Sequence, residues 1–294
     1  MLQRRRERLA YFLILPSILL ITLLNLYPAV QAFLVSLQSQ NMMRPNPTAY
    51  VGFAHYMASL AGDSPFWASL GRTIEFTLGA VVGGYLLGLG LALLLSLEVR
   101  GRAFLRALFL IPWVIPDVAT AMLWKWLYGD EFGILNVLLL RTGIVHQPVQ
   151  WLADTDIAMV SVIIVQVWKL YPIMFVTLLA ALQNVPTELH EAAKLDGATA
   201  LQRLWHVTLP LIRPASVVIT LLAAIWTFQS FDVIYLLTGG GPADATQVLS
   251  TLIYQKAFWA MDRGTATALA MLMLVVLLGL TLSYLTAYRS QREA

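Results

Sequence analysis

The chain has 294 residues, of which 59% are hydrophobic and 12% are charged, with a formal net charge of +3. This composition is too apolar for a soluble domain and is typical of a protein that crosses a membrane several times. The sequence contains no cysteine, which excludes disulfides, thiolate metal sites and cysteine nucleophiles.

Stretches of about twenty apolar residues are long enough to cross a bilayer, and six of them follow one another along the chain. The first comes after a basic flank, but its apolar run is too long for the core of a signal peptide, so we interpret it as a retained span. We therefore predict an all-α, polytopic membrane protein with one transmembrane domain over residues 1–294. The predicted spans cover residues 10–37, 74–97, 104–127, 157–182, 216–237 and 265–287.

The second predicted span is rich in glycine, with Gly79, Gly83, Gly84, Gly88 and Gly90 within twelve residues. Small residues allow two membrane helices to approach each other closely. The simplest interpretation is therefore tight packing of this span against a neighbouring helix.

Six spans place both termini on the same side of the membrane, and the basic residues indicate which side it is. One set of connections holds most of them, and the opposite loops hold only Arg44, Arg72, Arg141, Lys256 and Arg263. By the positive-inside rule, both termini and the loop 183–214 are predicted to be cytoplasmic. The richer set comprises Arg4, Arg5, Arg6, Arg8, Arg100, Arg102, Arg106, Lys194, Arg203, Arg213, Arg289 and Arg292.

The loop 183–214 carries strong local signals for two short helices. Pro186 and Thr187 favour a helix start, and Gly197 can supply the left-handed residue that ends this helix. Thr199 and Gln202 form a capping-box pattern for a second short helix, which we expect to extend through Trp205 and to end at Pro210. The prediction is a helix–turn–helix between the fourth and fifth spans.

The same loop contains Glu191-Ala192-Ala193, then Gly197, then Val207-Thr208-Leu209-Pro210. This spacing resembles the cytoplasmic loop of permease subunits of ATP-driven importers. The resemblance implies a coupling helix that docks on an ATPase subunit. An amphipathic loop helix lying on the membrane surface is the plainer alternative. The residues that would make the ATPase contact are Glu188, Glu191, Ala192, Ala193, Asp196 and Gly197.

The resemblance extends over nearly the whole chain, through segments such as Tyr50-Val51-Gly52-Phe53, Ala181 to Pro186 and Leu237 to Pro242. It is strongest to the sugar-importing branch, of the maltose and trehalose type, and implies the type I importer permease fold in a bacterial inner membrane. It also implies four kinds of partner besides lipid: a second related permease, an ATPase dimer, an extracytoplasmic sugar-binding protein and the sugar. ATP and Mg²⁺ would be bound by the ATPases, with no cofactor in this chain.

Ionisable groups at membrane depth cost roughly 2.5–3.5 kcal/mol each on insertion scales, so each one requires a reason. Asp117 in the third span departs from the family pattern, and either a transport role or an ion pair with Lys169 would explain it. The other polar residues of the spans either line a sugar path or hold helices together with an aromatic belt. The candidate substrate contacts are Gln229, Ser230, Asp232 and Tyr235 on the fifth span, Trp168 and Lys169 on the fourth, and Asp117.

Gln229 and Asp232 are three residues apart, which predicts neighbouring positions on one helical face. Trp226 on the fifth span and Gln166 and Tyr171 on the fourth extend the two polar sets. Such a mixture suits a sugar, because hydroxyls need amide and carboxylate partners and the C–H faces stack on aromatic rings.

Several other classes of function lack their residues. The sequence has no G-x-x-x-x-G-K-[ST] loop for nucleotide phosphates, no histidine spacing for a metal and no catalytic constellation, and we expect no nucleic-acid partner. The main alternative is an ion-coupled secondary transporter. That class is expected to show inverted repeats and interrupted helices in both halves, and neither is recognisable in the sequence.

Overall fold

The computed structural model describes residues 14–41, 48–97 and 100–293. Among these residues, five helices are long and apolar enough to cross a membrane, and a sixth span results if one sharply bent helix pair is counted as a single span. The all-α prediction is confirmed, with the addition of one short antiparallel strand pair that aligns Gln38 with Tyr50. The N-terminal arginine cluster and Arg44 lie outside the described residues.

The elements follow one another in this order. They are α1 (Ile14–Ser36), β1 (Gln38–Ser39), β2 (Ala49–Tyr50), α2 (Ala54–Leu60), α3 (Pro65–Ser96), α4 (Arg102–Val114), α5 (Asp117–Leu127), α6 (Ile134–Arg141), α7 (Ala158–Gln183), α8 (Thr187–Leu195), α9 (Ala200–Phe228), α10 (Asp232–Thr238), α11 (Leu249–Tyr254) and α12 (Arg263–Glu293).

The third predicted span, 104–127, is not one helix. It consists of α4 and α5, which meet at an angle of 97°. Pro116 explains the break, because it has no N–H to donate to the preceding turn and forces the residue before it out of the helical region. Ile115 is accordingly extended, with φ −68° and ψ 127°.

The fifth predicted span, 216–237, is also interrupted. α9 ends at Phe228 and α10 begins at Asp232, although no proline or glycine marks the break. The carbonyl of Ser230, which the break releases, accepts a hydrogen bond of 2.7 Å from the Ser250 hydroxyl. A contact from twenty residues further along the chain therefore stabilises the interruption.

Pro210 does not end the second short helix, contrary to expectation. The helix that starts at Ala200 continues into the membrane span, and Pro210 lies at the start of its α-helical part. A π-helical turn at Leu204–Thr208 directly precedes the proline. The chain changes its hydrogen-bonding pattern there instead of ending the helix.

The described residues form two compact units, of which the smaller comprises those within 1–67 and 252–276. In this unit, His55 joins three elements through its two ring nitrogens. Nε2 lies 3.2 Å from the Gln38 carbonyl oxygen and Nδ1 lies 3.1 Å from Thr265 Oγ1. Asp262 caps the start of α12 by accepting a 3.1 Å hydrogen bond from the Thr265 N–H.

The larger unit comprises residues 68–251 and 277–294 and is built around α7. Phe175 and Leu178 of α7 are fully buried in its core. The predicted close packing of the glycine-rich span occurs against this helix. A Cβ atom on Gly83 would lie 2.6 Å from Val167 Cγ2, and one on Gly88 would lie 2.9 Å from the Phe175 backbone nitrogen.

Candidate substrate cavity and coupling helix

A cavity of about 340 Å³ lies in the larger unit, where the two helix breaks face α7. This volume is within the range of sites for small molecules. Polar and charged side chains stand beside aromatic ones along its wall. The lining residues are Trp113, Asp117, Gln166, Lys169, Leu170, Ile173, Trp226, Gln229, Ser230, Phe231, Asp232 and Val233.

An ion pair forms one side of the cavity. Lys169 Nζ lies 3.0 Å from Asp117 Oδ1, and the two side chains are 14% and 45% exposed. Lys169 Nζ also donates to the carbonyl oxygen of Ile115, which is the residue left extended by the proline break. The pairing of Asp117 with Lys169, one of the two explanations expected from the sequence, is therefore present, and both residues also line the cavity.

The second carboxylate of the wall is Asp232, the first residue of α10. Beside it, Gln229 donates from Nε2 to the Ile225 carbonyl oxygen at 3.1 Å, which leaves its amide oxygen available to a ligand. The Phe231 ring stacks on Tyr235, with centroids 4.8 Å apart. This stack fixes the aromatic surface that Phe231 presents to the cavity.

Gln166 lines the cavity from α7, and its Oε1 atom is buried with no hydrogen-bond partner among the described residues. A buried amide oxygen without a partner is costly, since it has lost water and gained nothing in exchange. A ligand hydroxyl would satisfy it.

The structure brings five of the seven predicted substrate contacts to this cavity: Asp117, Lys169, Gln229, Ser230 and Asp232. Tyr235 is one layer behind, against Phe231. Trp168 is not a lining residue and packs instead on Trp124, with ring centroids 5.7 Å apart. Gln229 and Asp232 do not share a helical face, because the break separates them, yet both line the cavity.

Trp113 and the apolar lining residues Leu170, Ile173 and Val233 were not singled out by sequence reasoning as cavity residues. Trp113 reaches the wall because the chain turns at Pro116, directly after α4. The three apolar residues could not be recognised as cavity residues from the sequence, because most residues of the spans are apolar. The breaks in the two spans bring side chains of α4, α5, α9 and α10 to the cavity, where they meet those of the continuous helix α7.

The second candidate site is helix α8 in the loop 183–214. It begins at Thr187, as expected, and ends with Gly197 in the left-handed region at φ +78°. Gly197 N–H donates to the Lys194 carbonyl at 3.0 Å, and Ala198 N–H donates to the Ala193 carbonyl at 2.9 Å. This pair of bonds is the Schellman motif, which satisfies the last carbonyls of the helix.

The capping box that starts α9 is also present. Gln202 N–H donates to Thr199 Oγ1 at 3.3 Å, and Thr199 N–H donates to Gln202 Oε1 at 2.8 Å. These local bonds fix the turn between α8 and α9.

Helix α8 contains no buried residue. Of the predicted coupling residues, Glu188, Glu191, Ala192, Asp196 and Gly197 are exposed and Ala193 is half-buried. Leu189, Leu195, Leu201 and Trp205 add large exposed apolar side chains to the same loop. This surface is available to a partner.

Comparisons with known proteins bear on the family and the fold of the chain. Residues 84–293 match the family described as the binding-protein-dependent transport system inner membrane component. The chain is 35% identical to the trehalose/maltose transport system permease protein of Thermococcus litoralis over 99% of this chain and 97% of that one. It is 33% identical to the sulfoquinovosyl glycerol transport system permease protein of Agrobacterium fabrum over 96% and 91% of the two chains.

The fold is similar to that of a chain in the crystal structure of a bacterial transporter that imports the polysaccharide alginate. The TM-score is 0.81 at 24% identity, covering 97% of this chain and 96% of that chain. The family match and the relatives together define a helical permease component of the inner membrane. The chain belongs to the family of binding-protein-dependent transport system inner membrane components. It is a non-enzymatic permease component.

Proposed function

We propose that this chain carries a sugar of mono- or disaccharide size across the inner membrane, as one of two related permease subunits in an ATP-driven importer. The observation that supports this most directly is the cavity at the two helix breaks. Its aromatic rings suit sugar C–H faces, and its carboxylate and amide groups suit hydroxyls. The relative named for trehalose and maltose transport supports the same class of solute.

Helix α8 is proposed as the contact with an ATPase subunit. The helix has no buried residue, its turn is fixed by local hydrogen bonds, and it presents both acidic and apolar side chains. Glu188, Glu191, Ala192, Ala193, Asp196 and Gly197 would form the contact. ATP and Mg²⁺ would then be bound by the partner, with the sugar delivered by an extracytoplasmic binding protein.

A secondary transporter is the second candidate, because interrupted helices do occur at α4–α5 and α9–α10. This corrects the sequence-based expectation that such interruptions are missing. Broken spans alone do not favour ion coupling, since they equally serve to expose backbone and polar groups to a solute. The family match and the exposed α8 favour the ATP-driven importer.

The test is the ATPase activity of the reconstituted complex, measured with and without its binding protein across a panel of neutral and acidic sugars. We expect one sugar class to stimulate hydrolysis several-fold. Glu191→Ala should abolish this stimulation, because it removes a charge from the proposed ATPase contact.

The matched control is Glu131→Ala, which removes an exposed carboxylate in the loop before α6. It should retain stimulation. A Glu191→Ala complex with wild-type stimulation and ATPase binding would contradict the role of α8, and absence of any co-purifying ATPase would contradict the importer itself.

A further inference from the structure

The ionisable residues of the cavity wall give it a defined charge. The lining residues include two carboxylates, Asp117 and Asp232, and one ammonium, Lys169. With all three ionised, the wall carries one net negative charge. Electrostatic complementarity therefore disfavours an anionic solute and accepts an uncharged one.

Lys169 is the group that would otherwise attract an anion, and its environment restrains it. Its ammonium has three N–H donors. One is directed at Asp117 at 3.0 Å and a second at the Ile115 carbonyl, so a single donor remains for a solute. Its charge is balanced by the neighbouring carboxylate, while the remaining N–H can still bind a neutral hydroxyl.

The start of α5 is the second feature that would favour an anion, because the first turn of a helix carries a partial positive charge. Asp117 is the first residue of this eleven-residue helix and places its own carboxylate there. One side chain thus places negative charge beside both the lysine and the helix terminus. The proline break is what brings these groups to the cavity wall.

We propose that Asp117 is a specificity-determining residue that makes this wall select uncharged sugars over sugar phosphates and sulfonates. The inference rests on the proposed function of the cavity and deepens it. The relatives do not decide the question, since one is named for trehalose and maltose, which are neutral, and another for a sulfonated sugar, at 35% and 33% identity.

The test is direct binding to the purified complex of both permeases and the ATPases, without the binding protein, so that its own selectivity does not interfere. The probes are trehalose, maltose and trehalose 6-phosphate. We expect the wild type to bind a neutral probe more tightly than the phosphate. Asp117→Asn should raise the affinity for trehalose 6-phosphate relative to trehalose by at least about tenfold, because a unit charge is removed next to the solute.

Two further variants identify the cause. Adding Lys169→Gln to Asp117→Asn should abolish the gain, because the released ammonium is its source. Asp130→Asn is the matched control, since it removes an exposed carboxylate shortly after α5 that does not line the cavity, and it should leave the ratio unchanged. The second permease is common to all these complexes, so its contribution to the ratio cancels.

A measurement on the wild type keeps the inference testable if Asp117→Asn fails to assemble. Binding of trehalose 6-phosphate should strengthen with added salt, which screens the repulsion, whereas binding of a neutral probe should not change.

A wild type that binds the phosphate as tightly as the neutral sugars would overturn the selectivity while leaving the importer function intact. An unchanged ratio in an assembled Asp117→Asn complex would do the same. Failure of the wild type to bind any probe would contradict the cavity assignment, and this inference with it.

Discussion

Asn136 shows how one buried side chain can organise a loop. Its side chain lies in α6 with no exposed surface and makes hydrogen bonds in both directions. Nδ2 donates to the Val149 carbonyl at 3.0 Å, and Oδ1 accepts from the Val149 N–H at 3.0 Å and from Trp151 Nε1 at 3.1 Å. Asn136 therefore binds the chain that follows α6 to the helix itself.

Replacing Asn136 by alanine should destabilise the protein by about 3 kcal/mol, because buried donors and carbonyls lose their partner. The expected result is a clear drop in the melting temperature of the purified protein in detergent. Asn184→Ala is the control, since that exposed amide donates to the Ala180 carbonyl of its own helix. Equal melting temperatures for the two variants would show that the Asn136 bonds add nothing.

Gly88 is a second residue that carries a prediction, and its role is steric. A Cβ atom there would lie 2.9 Å from the backbone nitrogen of Phe175 and 3.2 Å from the Tyr171 carbonyl, and backbone cannot move aside as a side chain can. Gly88→Ala should force α3 away from α7 and lower stability by about 1–3 kcal/mol, as overpacking does.

Gly90→Ala provides the comparison for this prediction. The site lies on the same helix two residues further on, with nothing within 4 Å of an added Cβ. Alanine there should be neutral or slightly stabilising, because glycine weakens a helix interior. Thermal unfolding of both variants measures the difference, and equal melting temperatures for the two variants would contradict the steric role of Gly88.

At the level of the elements, the turn after α8 carries a functional prediction. Gly197 has φ +78° and open space around its Cα, so a substitution costs conformational energy without a clash. Gly197→Val should disrupt the Schellman turn and tilt α8, weakening ATPase binding. Gly197→Asn should retain most binding, because asparagine tolerates the left-handed region. Co-purification of the ATPase with each variant tests this, and equal retention would show that the angle of α8 does not matter.

The sequence predicts α8, its capping box and its glycine turn because all their determinants lie within a few residues. The break at Pro116 had a local signal, but the apolar run on either side favoured one continuous span. The break before Asp232 had none, since its stabilising contact from Ser250 is twenty residues away. Hydrophobic periodicity along the sequence does not predict long-range contacts of this kind.

The residues of the candidate site show the same contrast between local sequence signals and long-range structure. Asp117, Lys169 and Asp232 could be selected from the sequence, because charge inside an apolar span is conspicuous on its own. Trp168 was selected as an aromatic ring on which a sugar could stack, yet its ring packs on Trp124 away from the cavity lining. Aromatic side chains serve packing and recognition equally well, so only their direction in the fold distinguishes the two.

At the scale of the whole molecule, the topology depends on whether α4 and α5 cross the membrane together. A bend of 97° is compatible with a broken span or with a re-entrant pair. The two arrangements differ in topology, because a re-entrant pair returns to the side from which it entered. The positive-inside distribution favours a broken span, with the arginines before α4 and those of the loop 183–214 on the same side.

The absence of cysteine from the sequence makes this choice directly measurable by labelling single cysteines in intact cells with a membrane-impermeant maleimide. Three exposed positions suffice: Leu97 before α4, Phe132 after α5 and Leu195 at the end of α8, with 61%, 83% and 90% of their surface accessible. For a broken span, we expect Phe132→Cys to react from outside, and Leu97→Cys and Leu195→Cys to react only after permeabilisation.

A re-entrant pair would instead place Leu97 and Phe132 on one side and Leu195 on the other. That outcome would also separate the proposed coupling helix from the basic loop before α4, and would remove the electrostatic argument that places α8 in the cytoplasm.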